Sequence, residues 1–327
     1  MRPRVLQLGN IEHAPEEWNR LCEVVDIVPC TSKDREEFKE DCKTKYAGVI
    51  AIYRTFSSSA VTGPLDADLI AHLPPSLGFI AHNGAGYDTI STDACTSHGI
   101  QLSNTPTAVD DATADTNAFL ILGALRNFNN SMACLRRGDW REGIALGHDP
   151  QGKTLGILGM GGIGRALKQR CDAFGMRTIY HNRTRLSAHL ECGAEYVSFD
   201  ALLRDSDVLS LNLPLNGATR HIIDEVAFSK MKDGVVVVNT ARGAVIDEAA
   251  LVTALESGKV GCAGLDVYEE EPKIHPGLLA NDNCILLPHM GTYSHETLMK
   301  MEERTIANVR SAVLDGKLLD LVPEQRH

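Results

Sequence analysis

A glycine-rich turn at residues 159–164 limits the folds open to this chain more than any other feature. The hexapeptide GMGGIG fits the pattern G-x-G-x-x-G, follows the apolar run TLGIL and precedes RALKQRCDAFGM, which has helical composition. In such a strand–turn–helix unit, glycines allow a tight turn, close backbone approach to a pyrophosphate and close packing of helix on strand. Helix N-terminal amides would hold the phosphates. The sequence therefore predicts a dinucleotide site, with a tight turn lacking a ligand as the alternative, at Gly159, Gly161, Gly162, Ile163 and Gly164.

Runs of consecutive apolar residues recur along the chain between helical stretches. Strands buried on both faces of a parallel sheet have this pattern. In the first hundred residues the runs are RVLQLG, YAGVIAIY, LGFIAHNG and IQLSN. In the second part they lie near 154–158, 178–181, 207–213, 234–239, 262–267 and 284–287. We therefore expect an α/β fold with two Rossmann-like, doubly wound parallel-sheet domains.

Two long helical segments indicate where the domains begin and end in the sequence. The stretch 110–128, DDATADTNAFLILGALRNF, predicts one long connecting helix, and ETLMKMEERTIANVRSAVLDG predicts another that ends near Gly316. If this last helix packs on the N-terminal strands, the first domain is discontinuous. We expect residues 1–105 plus 293–327 to form the substrate domain and residues 106–292 the dinucleotide-binding domain.

The residue expected to contact the cofactor ribose is not acidic. Asn182 lies 18 residues after Gly164, where a carboxylate would bind the ribose hydroxyls of NAD and repel a 2′-phosphate. Asn182 removes that repulsion, while Arg183 and Arg185 can contact a phosphate and Thr184 offers a hydroxyl. The sequence favours NADP(H). The alternative is NAD(H) bound through Asn182, with both arginines in solvent.

Three later segments place chemically active side chains directly after apolar runs. Arg242 follows a strand in VVVVNTARGAVID, Asp266 and Glu271 lie in AGLDVYEEEP, and His289 lies in ILLPHMGT. Separately, each has an ordinary interpretation: Arg242 as a surface cation, Glu271 as a solvated acid, and His289 as a capping or core histidine. Together they predict an arginine, an acid and a histidine at one edge of one sheet, where such folds bind ligands.

These motifs carry a family resemblance. The segments GILGMGGIG, MKDGVVVVNTARGAVIDEAAL, AGLDVYEEEP and LPHMGT, with HNGAGYD and ATADTNAFLILGALRNF, resemble the D-isomer-specific 2-hydroxyacid dehydrogenase family over essentially the whole chain. YHNR and NTARGAVID are most similar to its fungal glyoxylate/hydroxypyruvate reductases. The resemblance implies a flavodoxin-like substrate domain and a homodimer.

The resemblance also implies the catalytic roles. Arg242 would bind the substrate carboxylate and polarise the 2-keto oxygen. His289 would be the general acid, and Glu271 would hydrogen-bond its imidazole and favour the protonated form. Glu271 is selected from three consecutive acids by its spacing to the following proline.

Further contacts follow from the same resemblance. Backbone amides of the loop containing Ala85 and Gly86 would form an anion nest for the substrate carboxylate. Asp266 and the carbonyl of Ala241 would contact the nicotinamide carboxamide. Thr116 either reaches the cofactor or is plain helix surface.

The expected activity is NADPH-dependent reduction of glyoxylate or hydroxypyruvate. The alternatives are a larger aliphatic or aromatic 2-oxo acid, or a dinucleotide-sensing corepressor-like scaffold. The formal net charge of −11 argues against nucleic acid or an anionic membrane as a partner. The nine cysteines include no C-x-x-C pair, which favours reduced thiols over a metal site. Reduced thiols in turn favour a cytoplasmic location. Trp140 is interpreted as a packing anchor, with a dimer interface as the alternative.

Overall fold

The computed structural model describes residues 2–326, which divide between two compact units. The first unit is Met1–Val109 with Ser294–His327, and the second is Asp110–Tyr293. The sequence placed these boundaries at 105/106 and 292/293. Because the chain leaves the first unit and returns to it, the first unit is discontinuous.

Each unit contains one sheet in which every strand pair is parallel. The strands are β1 Arg4–Leu8, β2 Asp26–Pro29, β3 Val49–Thr55, β4 Phe79–Asn83, β5 Gln101–Ser103, β6 Thr154–Leu158, β7 Arg177–His181, β8 Glu195–Tyr196, β9 Val208–Leu211, β10 Val235–Asn239, β11 Val260–Leu265 and β12 Cys284–Leu286. The helices are α1 Pro15–Cys22, α2 Arg35–Lys43, α3 Ser59–Thr62, α4 Ala67–Ala71, α5 Thr92–Ser97, α6 Asp110–Leu125, α7 Phe128–Arg136, α8 Gly162–Ala173, α9 Ala188–Glu191, α10 Phe199–Asp205, α11 Glu225–Lys230, α12 Glu248–Glu256, α13 Pro276–Leu279 and α14 His295–Asp315.

The strand orders confirm the predicted fold class. The first sheet runs β2-β1-β3-β4-β5, which is the flavodoxin-like order. The second runs β12-β11-β10-β9-β6-β7-β8, which is the Rossmann order extended by one strand. In this second sheet the order reverses between β6 and β9, and the glycine turn follows β6 at that point. Ligands of doubly wound sheets bind beyond the carboxyl ends of strands at such a reversal.

Each sheet is covered by apolar side chains on both faces. In the first unit, one core contains Leu6 and Ile80, and the other contains Val5 and Val309 of α14. In addition, the buried carboxylate of Glu302 on α14 accepts hydrogen bonds from amides just before α1, including His13 at 2.7 Å. These contacts attach α14 to the N-terminal strands. Within residues 2–326, no helix combines the length and apolar character that crossing a membrane requires.

Two sequence expectations about this architecture are wrong. The stretch 110–128 is not one helix, because α6 ends at Leu125 and α7 begins at Phe128, with Asn127 in the left-handed conformation at φ 55°. The side-chain amide of Asn127 donates to the carbonyl of Ala145 at 3.2 Å. Trp140 is not a packing anchor within this chain, since 76% of its surface is exposed.

Candidate active site and cofactor site

The glycine turn after β6 has the steric properties of a phosphate-binding turn. Gly159 adopts φ +94°, and a Cβ there would lie 2.7 Å from the carbonyl oxygen of Asn212. A Cβ on Gly164 would lie 2.7 Å from the carbonyl oxygen of Gly159, so α8 packs directly on the turn. In contrast, no described atom lies within 4 Å of a Cβ built on Gly161, which caps α8. The turn therefore leaves open space at the N-terminus of an α-helix, where anions bind.

Gly162 lies against a neighbouring carboxylate. A Cβ on Gly162 would lie 2.0 Å from Oδ2 of Asp110, the first residue of α6. Burial raises the pKa of Asp110, and the charge of Arg165 opposes this effect. Ile163 follows in the first turn of α8 and is half-buried. A larger side chain at this position would therefore require the Asp110 carboxylate to move.

Asn182 is hydrogen-bonded to the glycine turn. Its Oδ1 accepts from the amide of Met160 at 2.6 Å, and its carbonyl accepts from the hydroxyl of Tyr196 at 3.2 Å. Because Oδ1 is occupied by the turn, the side-chain NH₂ is the group that Asn182 can present to a ligand. An NH₂ group donates to phosphate oxygens, whereas a carboxylate would repel them.

The loop after Asn182 separates the two arginines. Arg185 binds Glu191 through two nitrogens, at 2.7 and 3.2 Å, and Glu191 also accepts from the hydroxyl of Tyr180 at 2.7 Å. The hydrogen bonds from Arg185 and Tyr180 lower the pKa of Glu191. Arg185 is therefore paired with a carboxylate, and a phosphate would have to compete with that ion pair. Arg183 and Thr184 lie exposed in the same loop.

Arg242 follows β10 in a backbone turn closed by Asn239. The side chain of Asn239 accepts from the amide of Ala241 at 3.0 Å and donates to the carbonyl of Arg242 at 2.8 Å. Nη1 of Arg242 donates to the carbonyl of Ala241 at 2.7 Å, and Arg242 is half-buried. The Ala241 carbonyl, expected to contact the cofactor, therefore binds the neighbouring guanidinium.

His289 and Glu271 form a hydrogen-bonded pair. Nδ1 of His289 lies 3.0 Å from Oε2 of Glu271, whose other oxygen accepts from the amide of Tyr268 at 3.0 Å. Burial alone would raise the pKa of Glu271, but the His289 and Tyr268 hydrogen bonds lower it below its usual range. Of the three consecutive acids, Glu269 instead binds Arg220 at 2.6 Å. The carboxylate beside the imidazole is thus the one that the proline spacing selected.

Asp266 holds the loop that carries His289. Its buried carboxylate accepts from the amides of Met290 at 2.6 Å and Gly291 at 2.8 Å, and its carbonyl accepts from the amide of His289 at 2.9 Å. Burial raises the pKa of Asp266, and the two amides oppose the rise. His289 itself adopts φ 57°, a conformation that costs a non-glycine residue about 1 kcal/mol or more. Both carboxylate oxygens therefore have loop partners, a positioning role that sequence reasoning missed.

A buried amide and hydroxyl cluster connects α6 to the strand ends. Nδ2 of Asn117 lies 2.9 Å from Oγ of Ser210, 3.1 Å from Oδ1 of Asn212 and 3.0 Å from Oγ1 of Thr240. The neighbouring Thr116 is half-buried, and its hydroxyl donates to a carbonyl of its own helix at 3.2 Å. The cluster was missed because its members come from three separate segments, and no local pattern indicates that these segments meet.

In the first unit, the loop after β4 turns its carbonyl groups inward. The carbonyl of Gly84 accepts from the amide of Thr105 at 3.0 Å, that of Ala85 from Asn104 Nδ2 at 2.7 Å, and that of Gly86 from a histidine nitrogen at 3.0 Å. Among the described residues, none accepts a hydrogen bond from the amides of Ala85 and Gly86. Two adjacent free amides can bind an anion.

Comparison with known proteins places these features in context. The family model for the D-isomer specific 2-hydroxyacid dehydrogenase, NAD binding domain, matches residues 118–291. The chain is 55% identical over 326 residues to 4-methyl-2-oxopentanoate reductase A of Aspergillus oryzae, and the match covers 99% of both proteins. It is similar to the crystal structure of a glyoxylate reductase from Paecilomyes thermophila, with a TM-score of 0.97, 56% identity and 99% of each chain covered. An NADPH-dependent glyoxylate/hydroxypyruvate reductase from Sinorhizobium meliloti, in complex with NADP and malonate, is 32% identical, with a TM-score of 0.86 and 99% and 98% of the two chains covered.

Proposed function

The chain belongs to the D-isomer-specific 2-hydroxyacid dehydrogenase family of oxidoreductases, and on that premise we propose that it reduces glyoxylate or hydroxypyruvate with NADPH. One observation carries this proposal. Arg242 and the His289–Glu271 pair follow strands of the same parallel sheet that carries the glycine turn. An anion-binding turn, a guanidinium and an acid-supported imidazole together form the set of groups that reduction of a 2-oxo acid needs.

The glycine turn would hold the diphosphate of the cofactor. Gly161 leaves open space, and the amides in the first turn of α8 point toward it as helix N-terminal donors. A bound reduced nicotinamide supplies the hydride that reaches the carbonyl carbon of the substrate. The nicotinamide end would lie toward Ala241 and Asp266.

Arg242 would bind the 2-oxo acid. A guanidinium presents several donors in one plane, so it can contact the carboxylate and the keto oxygen of the same substrate. Contact with the keto oxygen stabilises negative charge that develops there during reduction. In the first unit, we propose the free amides of Ala85 and Gly86 as a binding point for a carboxylate.

His289 would deliver the proton. Glu271 occupies Nδ1, so Nε2 is the nitrogen that donates a proton to the developing alkoxide oxygen as the hydride adds to carbon. Because the pKa of Glu271 is lowered, its carboxylate stays charged at neutral pH and stabilises the imidazolium. The backbone of His289 is left-handed, and the carboxylate of Asp266 accepts hydrogen bonds from the amides of the next two residues. Both features hold the imidazole ring in place.

NADPH is the proposed cofactor. Asn182 offers NH₂ rather than a carboxylate, and Arg183 and Thr184 are exposed beside it. A 2′-phosphate would find a cation and two neutral donors in this loop, with no negative charge on Asn182 to oppose it. The NADP complex of the Sinorhizobium meliloti relative agrees with this choice.

A branched aliphatic 2-oxo acid is the second candidate substrate, because the Aspergillus oryzae relative is named for 4-methyl-2-oxopentanoate. Initial rates for glyoxylate, hydroxypyruvate, pyruvate, 4-methyl-2-oxopentanoate and benzoylformate, each with NADPH and NADH, separate the two candidates. We expect the highest kcat/KM for a two- or three-carbon acid with NADPH. A kcat/KM at least tenfold higher for the branched acid would make 4-methyl-2-oxopentanoate the substrate class instead. If no acid is turned over, the enzymatic role is refuted.

We also propose a homodimer in the cytosol. Exposed apolar side chains are concentrated in the segment from α6 to the loop after α7, namely Phe119, Phe128, Met132, Leu135, Trp140 and Leu146. Soluble monomers rarely expose many large apolar side chains together. A two-fold interface would cover these side chains on both subunits. All nine cysteines are free thiols, as a reducing compartment would keep them. Light scattering should give twice the chain mass, and Leu135→Glu with Trp140→Glu should give the monomer mass.

A further inference from the structure

An arginine is completely buried beneath the loop of residues 84–86. Arg54 on β3 has 0% of its surface exposed and lies opposite His82 on β4 in the sheet register. Its Nη1 lies 3.0 Å from Nδ1 of His82, and its Nη2 donates to Ser59 Oγ at 2.8 Å and Thr89 Oγ1 at 3.2 Å. Burying an arginine is costly unless its donors are satisfied, so this arrangement needs a reason.

The guanidinium determines the protonation of the histidine. Arginine nitrogens donate hydrogen bonds and never accept them, so Nδ1 of His82 must accept and carries no proton. The ring proton then lies on Nε2, which is 3.0 Å from the carbonyl oxygen of Gly86. His82 therefore donates to Gly86, and the neutral Nε2–H tautomer is the form that satisfies both neighbours.

This imidazole lies directly under the loop. A Cβ on Gly84 would be 2.6 Å from Nε2 of His82, so the loop backbone rests on the ring. The Gly86 carbonyl shares its peptide with the amide of Tyr87, so holding that carbonyl toward the ring directs the Tyr87 N–H group away from it. The ring therefore contacts the loop at both Gly84 and Gly86, on either side of Ala85, and holds the segment that carries the two free amides.

We propose that Arg54 and His82 are positioning residues that set the geometry of the Ala85 and Gly86 amides for the substrate carboxylate. Both act through the loop backbone, His82 by its contacts with Gly84 and Gly86 and Arg54 by fixing the tautomer of His82. The inference rests on the proposed function, in which these amides bind a 2-oxo acid.

The charge of Arg54 persists under working conditions. Burial lowers the pKa of Arg54 to about 10, and the charge of Asp88 opposes the decrease. At neutral pH the guanidinium is therefore still a cation and keeps Nδ1 of His82 as an acceptor. Its buried charge also favours an anion on the loop above it.

Two substitutions at His82 separate its contact with Arg54 from its contact with Gly86. In His82→Asn, the amide oxygen can replace Nδ1 for Arg54, but no donor reaches Gly86. In His82→Gln, the longer amide can replace Nε2 and donate to Gly86. His98→Asn is the matched control, because His98 is exposed in the same unit and its ring bonds to a carbonyl of its own helix, at 3.0 Å.

We expect His82→Asn to raise the KM for glyoxylate about tenfold, equivalent to about 1.4 kcal/mol, with the NADPH dissociation constant unchanged. His82→Gln should stay within about threefold of the wild type, and His98→Asn should equal it. Hydrogen exchange at the amides of residues 84–87 should accelerate in His82→Asn only. An unchanged KM in His82→Asn, or an equal rise in both His82 variants, would overturn the proposal.

A folding failure would not leave the question open. If His82→Asn does not fold, Thr89→Val removes one Arg54 contact while leaving His82 in place, and it should raise the KM about threefold. An unchanged KM in that variant counts against the proposal. If the wild type reduces no 2-oxo acid, the proposed function fails, whereas the orienting role of His82 is then decided by the exchange rates alone.

Discussion

The cofactor preference offers the most direct test of the site, through the substitution Asn182→Asp. Oδ1 of Asn182 accepts from the amide of Met160 at 2.6 Å, and an aspartate oxygen can accept the same hydrogen bond. The glycine turn should therefore keep its geometry. The substitution removes one NH₂ donor and adds one negative charge beside the place proposed for the 2′-phosphate.

The structure sets the size of the expected effect. Two unit charges about 5 Å apart interact by about 3 kcal/mol at an effective dielectric constant of about 20. Because Asn182 is half-buried and its neighbour Arg183 is exposed, solvent and salt reduce this to roughly half. A loss of ~1.5 kcal/mol raises the NADPH dissociation constant about tenfold. A carboxylate that accepts from the ribose hydroxyls should tighten NADH by about fivefold.

The assay is kcat/KM for each cofactor at saturating glyoxylate, supported by fluorescence titration of both. The ratio of NADPH to NADH should fall by about fiftyfold in Asn182→Asp, by the product of the two effects. Arg183→Ala should weaken NADPH about fivefold without affecting NADH, since it removes an exposed cation. Arg177→Ala is the matched control, because Arg177 lies exposed at the opposite end of β7. A ratio within twofold of the wild type in Asn182→Asp would refute the account of this loop.

Three further outcomes follow from the described contacts. In Glu271→Gln, the fall in reductive kcat/KM with rising pH should move to lower pH, because a neutral amide does not stabilise the imidazolium as the wild-type carboxylate does. The lowered pKa of Glu271 keeps that carboxylate charged until the pH falls into the acid range. A pH–rate profile identical to the wild type would contradict this. Gly164→Val should abolish NADPH binding in a fluorescence titration while the protein stays folded by circular dichroism, since its Cβ would lie 2.7 Å from the Gly159 carbonyl. Asn117→Leu should reduce the free energy of unfolding by ~2 kcal/mol in urea, because buried partners including Thr240 lose its amide; equal denaturation midpoints would show that the cluster contributes nothing.

The architecture was predictable where strands are buried on both faces. β10, VVVVN, is buried at every position, and an uninterrupted apolar run of that kind has few alternatives in an α/β chain. The two missed strands are at sheet edges. β2, DIVP, has exposed or half-buried residues throughout, and β8 has two residues, so neither needs an apolar run. Hydrophobic patterning detects burial rather than hydrogen bonding, and it therefore does not detect edge strands that are largely exposed.

The chemistry-bearing residues were identifiable because each belongs to a short local motif. Arg242 and His289 follow their strands by a few residues, so the strand prediction and the residue type together indicate their place. The partners of side chains were not identifiable in this way. Nothing local distinguishes Arg183 from Arg185, and it is Glu191, six residues beyond Arg185, that pairs with the latter. Whether a cation is available to a ligand depends on such contacts, which spacing alone does not reveal.

Helix α6 shows why the supporting contacts escaped the sequence. It was interpreted as a connector, yet Asp110 lies against Gly162, Thr113 donates to the carbonyl of Gly291 at 3.3 Å, and Asn117 binds Thr240. These residues fall near one another on successive turns of the helix, and they contact the glycine turn, the His289 loop and the Arg242 loop respectively. A helix with a buried polar face lacks the apolar stripe from which orientation is normally inferred. One helix therefore holds all three functional loops of the second unit, and a change on that face should disturb cofactor binding and proton transfer together.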